Sequence, residues 1–274
     1  SSGKIRRAAS REFYERGGKG ARPAPVWWQF VRLALAGAAP QLRRLRRALN
    51  EVLYAAWVWA LFWMLAPVVW MAVAVSGRPQ HARPLIHYAA RLMLWLTRTP
   101  LKVSGLEHLP RTPCVLAVNH ASYLDGILLT AALPPDFPGA FVAKREFLDH
   151  FVPRLFLRGI GAVFVERFDA RQGVEHVEDV AAALGQGQMP VFFPEGTFDR
   201  RPGLLAFRTG AFAIAARAGV PVVPVALRGV RSMLRGNDWF PYRGAAAITF
   251  GAPIRPAGPE WRHVMLLRDE VRRA

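Results

Sequence analysis

A histidine and an aspartate, His120 and Asp125, lie five residues apart in a segment whose neighbours predict a strand-to-helix turn. The apolar run at 114–118 predicts a short buried strand, and residues 126–133 favour a helix. Turns of this kind are where α/β folds place their chemistry. On one continuous helix the two side chains would point about 140° apart, so they can meet only if the chain bends between them. A carboxylate that orients a neutral imidazole and stabilises its protonated form makes that imidazole a general base.

The same segment also has a purely structural interpretation. Ser122, followed three residues later by Asp125, fits a helix capping box, in which each side chain accepts a hydrogen bond from the backbone N–H of the other residue. The spacing of the histidine and the aspartate leaves both interpretations open. Other segments of the chain bear on the choice.

Three further segments favour catalysis because they occur in a characteristic order. Residues 161–167 are Gly-Ala-Val-Phe-Val-Glu-Arg, residues 191–197 are Val-Phe-Phe-Pro-Glu-Gly-Thr, and residues 220–225 are Val-Pro-Val-Val-Pro-Val. Together with Asn-His-x-x-x-x-Asp at 119–125, they resemble the motifs of the glycerolipid acyltransferase family, which includes lysophosphatidic acid acyltransferases. The resemblance covers residues 101–256.

The resemblance implies transfer of an acyl group from a thioester to a hydroxyl. An alcohol is a poor nucleophile at neutral pH unless a base takes its proton, so His120 would be that base and Asp125 would orient it. No acyl-enzyme is expected, because no serine or cysteine nucleophile is required. We expect no bound cofactor and no metal, with acyl-CoA or acyl carrier protein as the acyl donor.

The resemblance also implies an acceptor site. Arg167 would bind the acceptor phosphate through its forked guanidinium. Glu195 would bond a glycerol hydroxyl or a cationic neighbour, and Gly196 allows close approach of the backbone. The remaining substrate-binding candidates are Thr197, Asn119 and Ser122, of which the last two would shape the turn. Second-rank candidates for phosphate or cofactor contacts are Lys144, Arg200, Arg208 and Thr209.

One position departs from the family pattern. The residue after Glu-Gly-Thr is usually arginine in the family, whereas this chain has Phe198. Arg200 or Arg201 could replace the missing charge. The expected product is phosphatidic acid made from 1-acylglycerol 3-phosphate. The departure keeps open another lysophospholipid or glycerol 3-phosphate as acceptor, in the salvage of fatty acids.

Composition favours an anionic partner. The chain has 37 basic and 19 acidic residues and a net charge of +18. Such a balance suits a phospholipid surface or nucleic acid. Charge alone therefore also fits a non-catalytic lipid- or nucleic-acid-binding module, but no RNA-binding aromatic motif is present and we expect no nucleic-acid partner. The single cysteine, Cys114, excludes an internal disulfide, and we expect its thiol to be buried and inert.

The segment before residue 100 predicts membrane association. Residues 26–39 favour an interfacial helix that Pro40 interrupts. Residues 52–75 carry no charge and are long enough for the roughly 30 Å hydrocarbon core, with a kink at Pro67. Positive charge on both sides does not select an inside face. A hairpin dipping into one leaflet or a helix lying flat would suit the cytoplasmic face of the cell membrane, in a bacterium the inner membrane, and a buried core helix is the soluble alternative.

The first residues resemble a different family. Ser-Ser-Gly-Lys-Ile-Arg-Arg at 1–7 resembles the closing motif of adenylate-forming acyl ligases, in which Lys4 would contact the acyl adenylate. This predicts a fused ligase domain upstream, and a flexible basic tail or a cloning scar is the alternative. The predicted domains are the ligase tail and linker at 1–25, membrane-associated helices at 26–99 and an acyltransferase domain at 100–274.

From residue 101 onward, apolar runs alternate with amphipathic segments. The predicted fold class is α/β, with a mixed sheet flanked by helices as in glycerol-3-phosphate acyltransferases. Predicted strands lie at 101–103, 114–118, 140–143, 162–165, 190–193, 222–227 and 246–250. Predicted helices lie at 85–96, 122–133, 151–157, 172–184, 210–218 and 260–273.

Overall fold

The computed structural model describes residues 11, 14–15, 25–165, 173–198, 203–234, 236 and 238–274. Residue contacts divide the chain into two compact units, Ser1–Val52 and Leu53–Ala274. The predicted domain boundaries near residues 25 and 100 stay predictions. Most of the predicted ligase tail, including Lys4, lies outside the described residues.

The first described helix, α1, is a single helix of 51 residues, Val26–Ser76. The prediction that Pro40 interrupts it is wrong, since the helix continues through both Pro40 and Pro67. A proline removes one N–H donor from the helix ladder, and the neighbouring turns are rich in alanine and leucine, which have high helix propensity. Within α1, Pro40–Ser76 has the length and composition of a helix that could cross a membrane.

A second helix, α2 at Pro79–Leu96, folds back along the end of α1. Gly77, in the left-handed region at φ 62°, makes the turn between the two helices. Trp57 Nε1 donates a hydrogen bond of 3.2 Å to the carbonyl of Leu96, while Val73 and Ala82 lie in one buried cluster at the other end. These contacts make an antiparallel helix pair, and α2 begins six residues earlier than predicted.

The described residues form one seven-stranded sheet in the order β1-β7-β6-β2-β5-β3-β4. The neighbouring pairs are parallel except β6 and β7, which are antiparallel. The sheet is therefore mixed, as predicted. The strands are β1 Leu101–Ser104, β2 Val115–Val118, β3 Gly139–Lys144, β4 Val163–Val165, β5 Met189–Phe192, β6 Val222–Arg228 and β7 Ala246–Phe250.

Helices cover both faces of the sheet because alternate residues of a strand point to opposite sides. Leu116 of β2 lies in one buried cluster with Leu128, whereas Val115 lies in a second cluster with Phe212 and Leu267. The remaining α-helices are α3 Asp125–Ala132, α4 Phe151–Gly159, α5 Gly173–Gly185, α6 Gly210–Ala218, α7 Val230–Met233 and α8 Trp261–Arg273, and short 3-10 helices lie at Leu106–His108 and Arg145–Asp149.

Candidate active site

The candidate site begins where β2 ends. Helix α3 begins at Asp125, with Leu124 at its N-cap, so the helix predicted at 122–133 starts three residues later than expected. Residues between β2 and α3 are instead held by side-chain hydrogen bonds to backbone groups. The turn keeps His120 off the helix, and the chain bends between the histidine and the aspartate.

His120 and Asp125 are in direct contact. His120 Nδ1 and Asp125 Oδ2 are 2.7 Å apart, and Nδ1 carries the proton of this bond because a carboxylate oxygen only accepts. The same oxygen accepts from the backbone N–H groups of Ala121 at 2.6 Å and Ser122 at 3.0 Å. Asp125 is 1% exposed and the His120 side chain 22%. One carboxylate therefore orients the imidazole and also closes the turn, which combines the two interpretations of the segment.

Asn119 and Ser122 use their side chains within the protein. The Asn119 amide donates to the Leu227 carbonyl at 3.1 Å and accepts from the Leu227 N–H at 2.6 Å, so it joins the end of β2 to β6. The fully buried Ser122 hydroxyl donates to the Leu234 carbonyl at 2.6 Å. Both side chains therefore hold the turn to distant parts of the chain.

Glu195, in the turn after β5, is placed differently from our prediction of a substrate contact. Its side chain is 4% exposed. Oε1 accepts the backbone N–H of His120 at 2.7 Å, and Oε2 accepts that of Leu205 at 2.7 Å. Each oxygen satisfies a backbone donor that would otherwise be unpaired. Glu195 therefore holds the histidine turn against the segment that leads into α6.

Gly196 and Arg208 lie against each other. Gly196 has φ +69°, and a Cβ there would approach Arg208 Nε to 2.7 Å. The glycine thus gives the guanidinium room to lie over the turn that carries Glu195. The side chains of Arg208 and of Thr197 are exposed. Arg208 is thus a predicted cation that the described structure places against this turn, with its side chain exposed to solvent.

Two aromatic rings, which sequence reasoning did not assign to the site, flank the imidazole. The ring centroids of Phe193 and Phe198 lie 4.5 and 4.4 Å from that of His120. The sequence predicts Phe193 only as the end of a strand and marks Phe198 only as a departure from the family pattern. The signal available in the sequence was their position on either side of Pro-Glu-Gly-Thr. Both rings therefore pack against the imidazole.

The other predicted residues lie apart from this cluster or outside the described part. Lys144 ends β3, two strands from β2, and its side chain is exposed. Arg167, Arg200 and Arg201 lie outside the described residues. Among the described residues, no three His, Cys, Asp or Glu side chains are grouped as a metal site requires.

Part of the chain that contains this turn is similar to a known protein family. Residues 100–228 match the model of the Acyltransferase family. That range contains His120, Asp125 and Glu195, and it extends from β1 to the end of β6.

Named proteins similar to this chain include three 1-acyl-sn-glycerol-3-phosphate acyltransferases. A chloroplastic 1-acyl-sn-glycerol-3-phosphate acyltransferase of Brassica napus, BAT2, is 30% identical over 76% of this chain and 62% of its own length. The chloroplastic LPAT1 of Arabidopsis thaliana is 31% identical over 64% of this chain and 50% of its own length. The 1-acyl-sn-glycerol-3-phosphate acyltransferase alpha of Ovis aries is 28% identical over 78% of this chain and 74% of its own length. The chain thus spans 62% and 50% of the first two proteins.

A solved structure shares the fold. The crystal structure of the 1-acyl-sn-glycerophosphate (LPA) acyltransferase PlsC from Thermotoga maritima matches with a TM-score of 0.64 and 22% identity. The match covers 84% of this chain and 95% of the other. The predicted α/β class with a mixed sheet flanked by helices is confirmed.

Proposed function

We propose that this chain transfers a fatty acyl group from an acyl thioester to the free hydroxyl of 1-acylglycerol 3-phosphate, giving phosphatidic acid. The observation that carries the proposal is the 2.7 Å hydrogen bond between His120 Nδ1 and Asp125 Oδ2 at a partly exposed turn. The similarity to named 1-acyl-sn-glycerol-3-phosphate acyltransferases supports it.

The proposed chemistry uses the unoccupied nitrogen of His120. With Nδ1 donating to Asp125, Nε2 carries a lone pair, and no described residue bonds to it. The acceptor hydroxyl donates to Nε2, and its proton passes to the ring as its oxygen attacks the thioester carbonyl carbon. The carbon–sulfur bond then breaks, and the leaving thiolate takes the proton from the imidazolium. The products are an ester and a free thiol, and Asp125 stabilises the charged ring between the two steps.

The acceptor phosphate requires cations near this turn. Arg167 keeps its proposed role in binding that phosphate, with Arg200 as a second candidate. The exposed guanidinium of Arg208 beside Gly196 supports a contribution from this residue too. Arginine suits the task because its fork can make two parallel bonds to a phosphate.

A second acceptor is favoured by one observation. Phe198 occupies the family's usual arginine position, and its ring lies 4.4 Å from the His120 ring. A ring in place of a guanidinium weakens the attraction for a phosphate at that point. Another lysophospholipid, or glycerol 3-phosphate, is therefore the alternative acceptor within the same chemistry.

An acceptor panel tests the proposal. The full chain in phospholipid nanodiscs is given radiolabelled acyl-CoA or acyl carrier protein thioester with lysophosphatidic acid, other lysophospholipids or glycerol 3-phosphate. Labelled phosphatidic acid is the expected main product. Labelling of a different lipid would select the alternative acceptor. Absence of transfer to every acceptor would refute the proposed acyltransferase activity.

Location and partners belong to the same proposal. The phospholipid membrane is the proposed partner surface, with the chain on the cytoplasmic face. Its support is the exposed apolar surface of α1, where Trp63 is 68% exposed and Val75 78%. A nucleic-acid binder would instead stay in solution and bind DNA with a steep salt dependence. The fused acyl ligase stays a proposal that rests on the Ser-Gly-Lys segment alone.

A further inference from the structure

Four aromatic side chains from four separate segments form a continuous row that begins at His120. The Phe198 ring meets the His120 ring edge-on at 4.4 Å between centroids, and Tyr123 meets Phe198 at 4.8 Å. Tyr123 stacks on Trp239 at 5.8 Å with an interplanar angle of 13°. Trp239 in turn lies 5.8 Å from Trp59 of α1. We call Phe198, Tyr123, Trp239 and Trp59 the aromatic row.

The far end of the row is fixed to the apolar helix. Trp59 Nε1 donates a hydrogen bond of 2.9 Å to the Trp239 carbonyl. One turn further along α1, Trp63 is 68% exposed. The row therefore joins the exposed apolar surface of Pro40–Ser76 to the imidazole.

The middle of the row is open. Tyr123 is 48% exposed and Trp239 68%. Large rings bury apolar surface well and stack with fixed geometry, but these two leave much of their area uncovered. Contiguous exposed apolar surface of this kind marks a site that something else covers.

We propose that the aromatic row binds the acyl chain of the lipid acceptor and guides its head group from the membrane to His120. This inference rests on the proposed function and names the part of the protein that recognises the acceptor. A single-chain lipid must bring its hydroxyl to the imidazole while its chain stays in apolar surroundings. The row provides such surroundings from α1 to within contact of the imidazole. The thioester donor carries its acyl chain on a water-soluble carrier, coenzyme A or a protein, and therefore reaches the site from the aqueous phase.

The position of Phe198 gives the row a role in specificity. Its ring is the link between His120 and Tyr123. An arginine there would place a charge at the end of the apolar path that meets His120. The phenylalanine extends the apolar path to the His120 ring. Discrimination among acceptors should therefore depend on the acyl chain as well as on the head group.

The length of the acceptor's acyl chain is the variable that tests the aromatic row. Trp239→Ala is compared with the wild type, using 1-palmitoyl and 1-hexanoyl glycerol 3-phosphate in nanodiscs. Each methylene that leaves water contributes about fourfold to binding. Removing the indole should therefore lower kcat/KM for the palmitoyl acceptor about tenfold more than for the hexanoyl acceptor. Trp239→Phe should restore most of the preference.

Two further variants provide a control and a second test. Trp261→Ala is the matched control, since Trp261 is 62% exposed on α8 and outside the row, and it should keep the wild-type ratio between the two acceptors. Tyr123→Ala should repeat the effect of Trp239→Ala if that variant folds poorly. An equal loss with both acceptors, in either row variant, would show that the row only supports the fold and would overturn the proposal.

A photocrosslinking arm separates this proposal from the proposed function. Palmitoyl lysophosphatidic acid with a diazirine in its chain is irradiated with the full chain in nanodiscs, and the labelled peptides are mapped by mass spectrometry. Labels on the peptides of Tyr123 and Trp239 support the row even if the wild type transfers no acyl group. Labels confined to other peptides would overturn it, whether or not the enzyme is active.

Discussion

His120 and Asp125 share a hydrogen bond of 2.7 Å, and the proposed function gives each residue a separate task. His120→Ala removes the base and should abolish acyl transfer. Asp125→Asn keeps the shape of the side chain but removes the charge that stabilises the imidazolium, so kcat should fall by about 10²-fold or more. Initial rates with acyl-CoA and lysophosphatidic acid give the measurement, with circular dichroism to establish that each variant is folded.

The chain carries its own control for this pair. His263 Nδ1 and Glu260 Oε2 are also 2.7 Å apart, but this carboxylate is exposed at the start of α8. His263→Ala should therefore leave turnover unchanged. Near-normal turnover in His120→Ala would show that the general-base mechanism is wrong.

At the scale of elements, Glu195 joins two turns. Glu195→Gln replaces one acceptor oxygen by an NH₂ group and leaves one buried backbone N–H, of His120 or Leu205, without its partner. The free energy of unfolding should fall by about 1–3 kcal/mol, the cost of an unsatisfied buried group. Urea unfolding followed by tryptophan fluorescence measures the change.

The opposite result would favour the substrate contact that the sequence predicted for Glu195. In that case the stability would stay at the wild-type value while the KM for the acceptor rose. Because the carboxylate is 4% exposed, we expect the loss of stability to be the larger effect.

The proposed contact with the membrane depends on helix α1. Cysteines introduced by Pro25→Cys and Gln80→Cys, on either side of residues 26–75, should both resist an impermeant maleimide added from outside the cell. The native Cys114 does not interfere, because burial raises the pKa of its thiol to about 12 and leaves almost no thiolate at neutral pH. Both sites should react after the membrane is opened. Labelling of just one site in intact cells would instead show a single crossing.

At the scale of the whole molecule, the Ser-Gly-Lys segment predicts a second activity in the parent protein. The isolated chain should need a ready-made thioester and should ignore ATP with free fatty acid. A protein that includes the ligase should use both, and Lys4→Ala should remove only the ATP-dependent route, since a lysine at the adenylate stabilises the leaving phosphoryl group. A short flexible tether would raise the local concentration of activated acyl chain to about millimolar. Product formation from each donor system gives the measurement, and a parent reading frame without an adenylating domain would contradict the fusion.

The sequence by itself determined the elements and the local part of the site. An apolar run such as Val115–Val118 has to be buried, and it became the central strand β2. The contacts of Asp125 with His120 and Ser122 span three to five residues, so local spacing was enough to foresee them. Pro40 was misjudged because a single missing N–H does not end a helix whose neighbours favour it.

Tertiary structure alone decided what surrounds the imidazole. The bonds from Asn119 to Leu227 and from Ser122 to Leu234 join residues more than 100 positions apart. Trp59 reaches Trp239 across 180 positions. Such contacts depend on the order of the strands and on which helix covers which face, and a local pattern of residue types fixes neither. The sequence thus determined which residues could act, and the packing of distant segments decided which of them stay accessible at the turn and which hold it together.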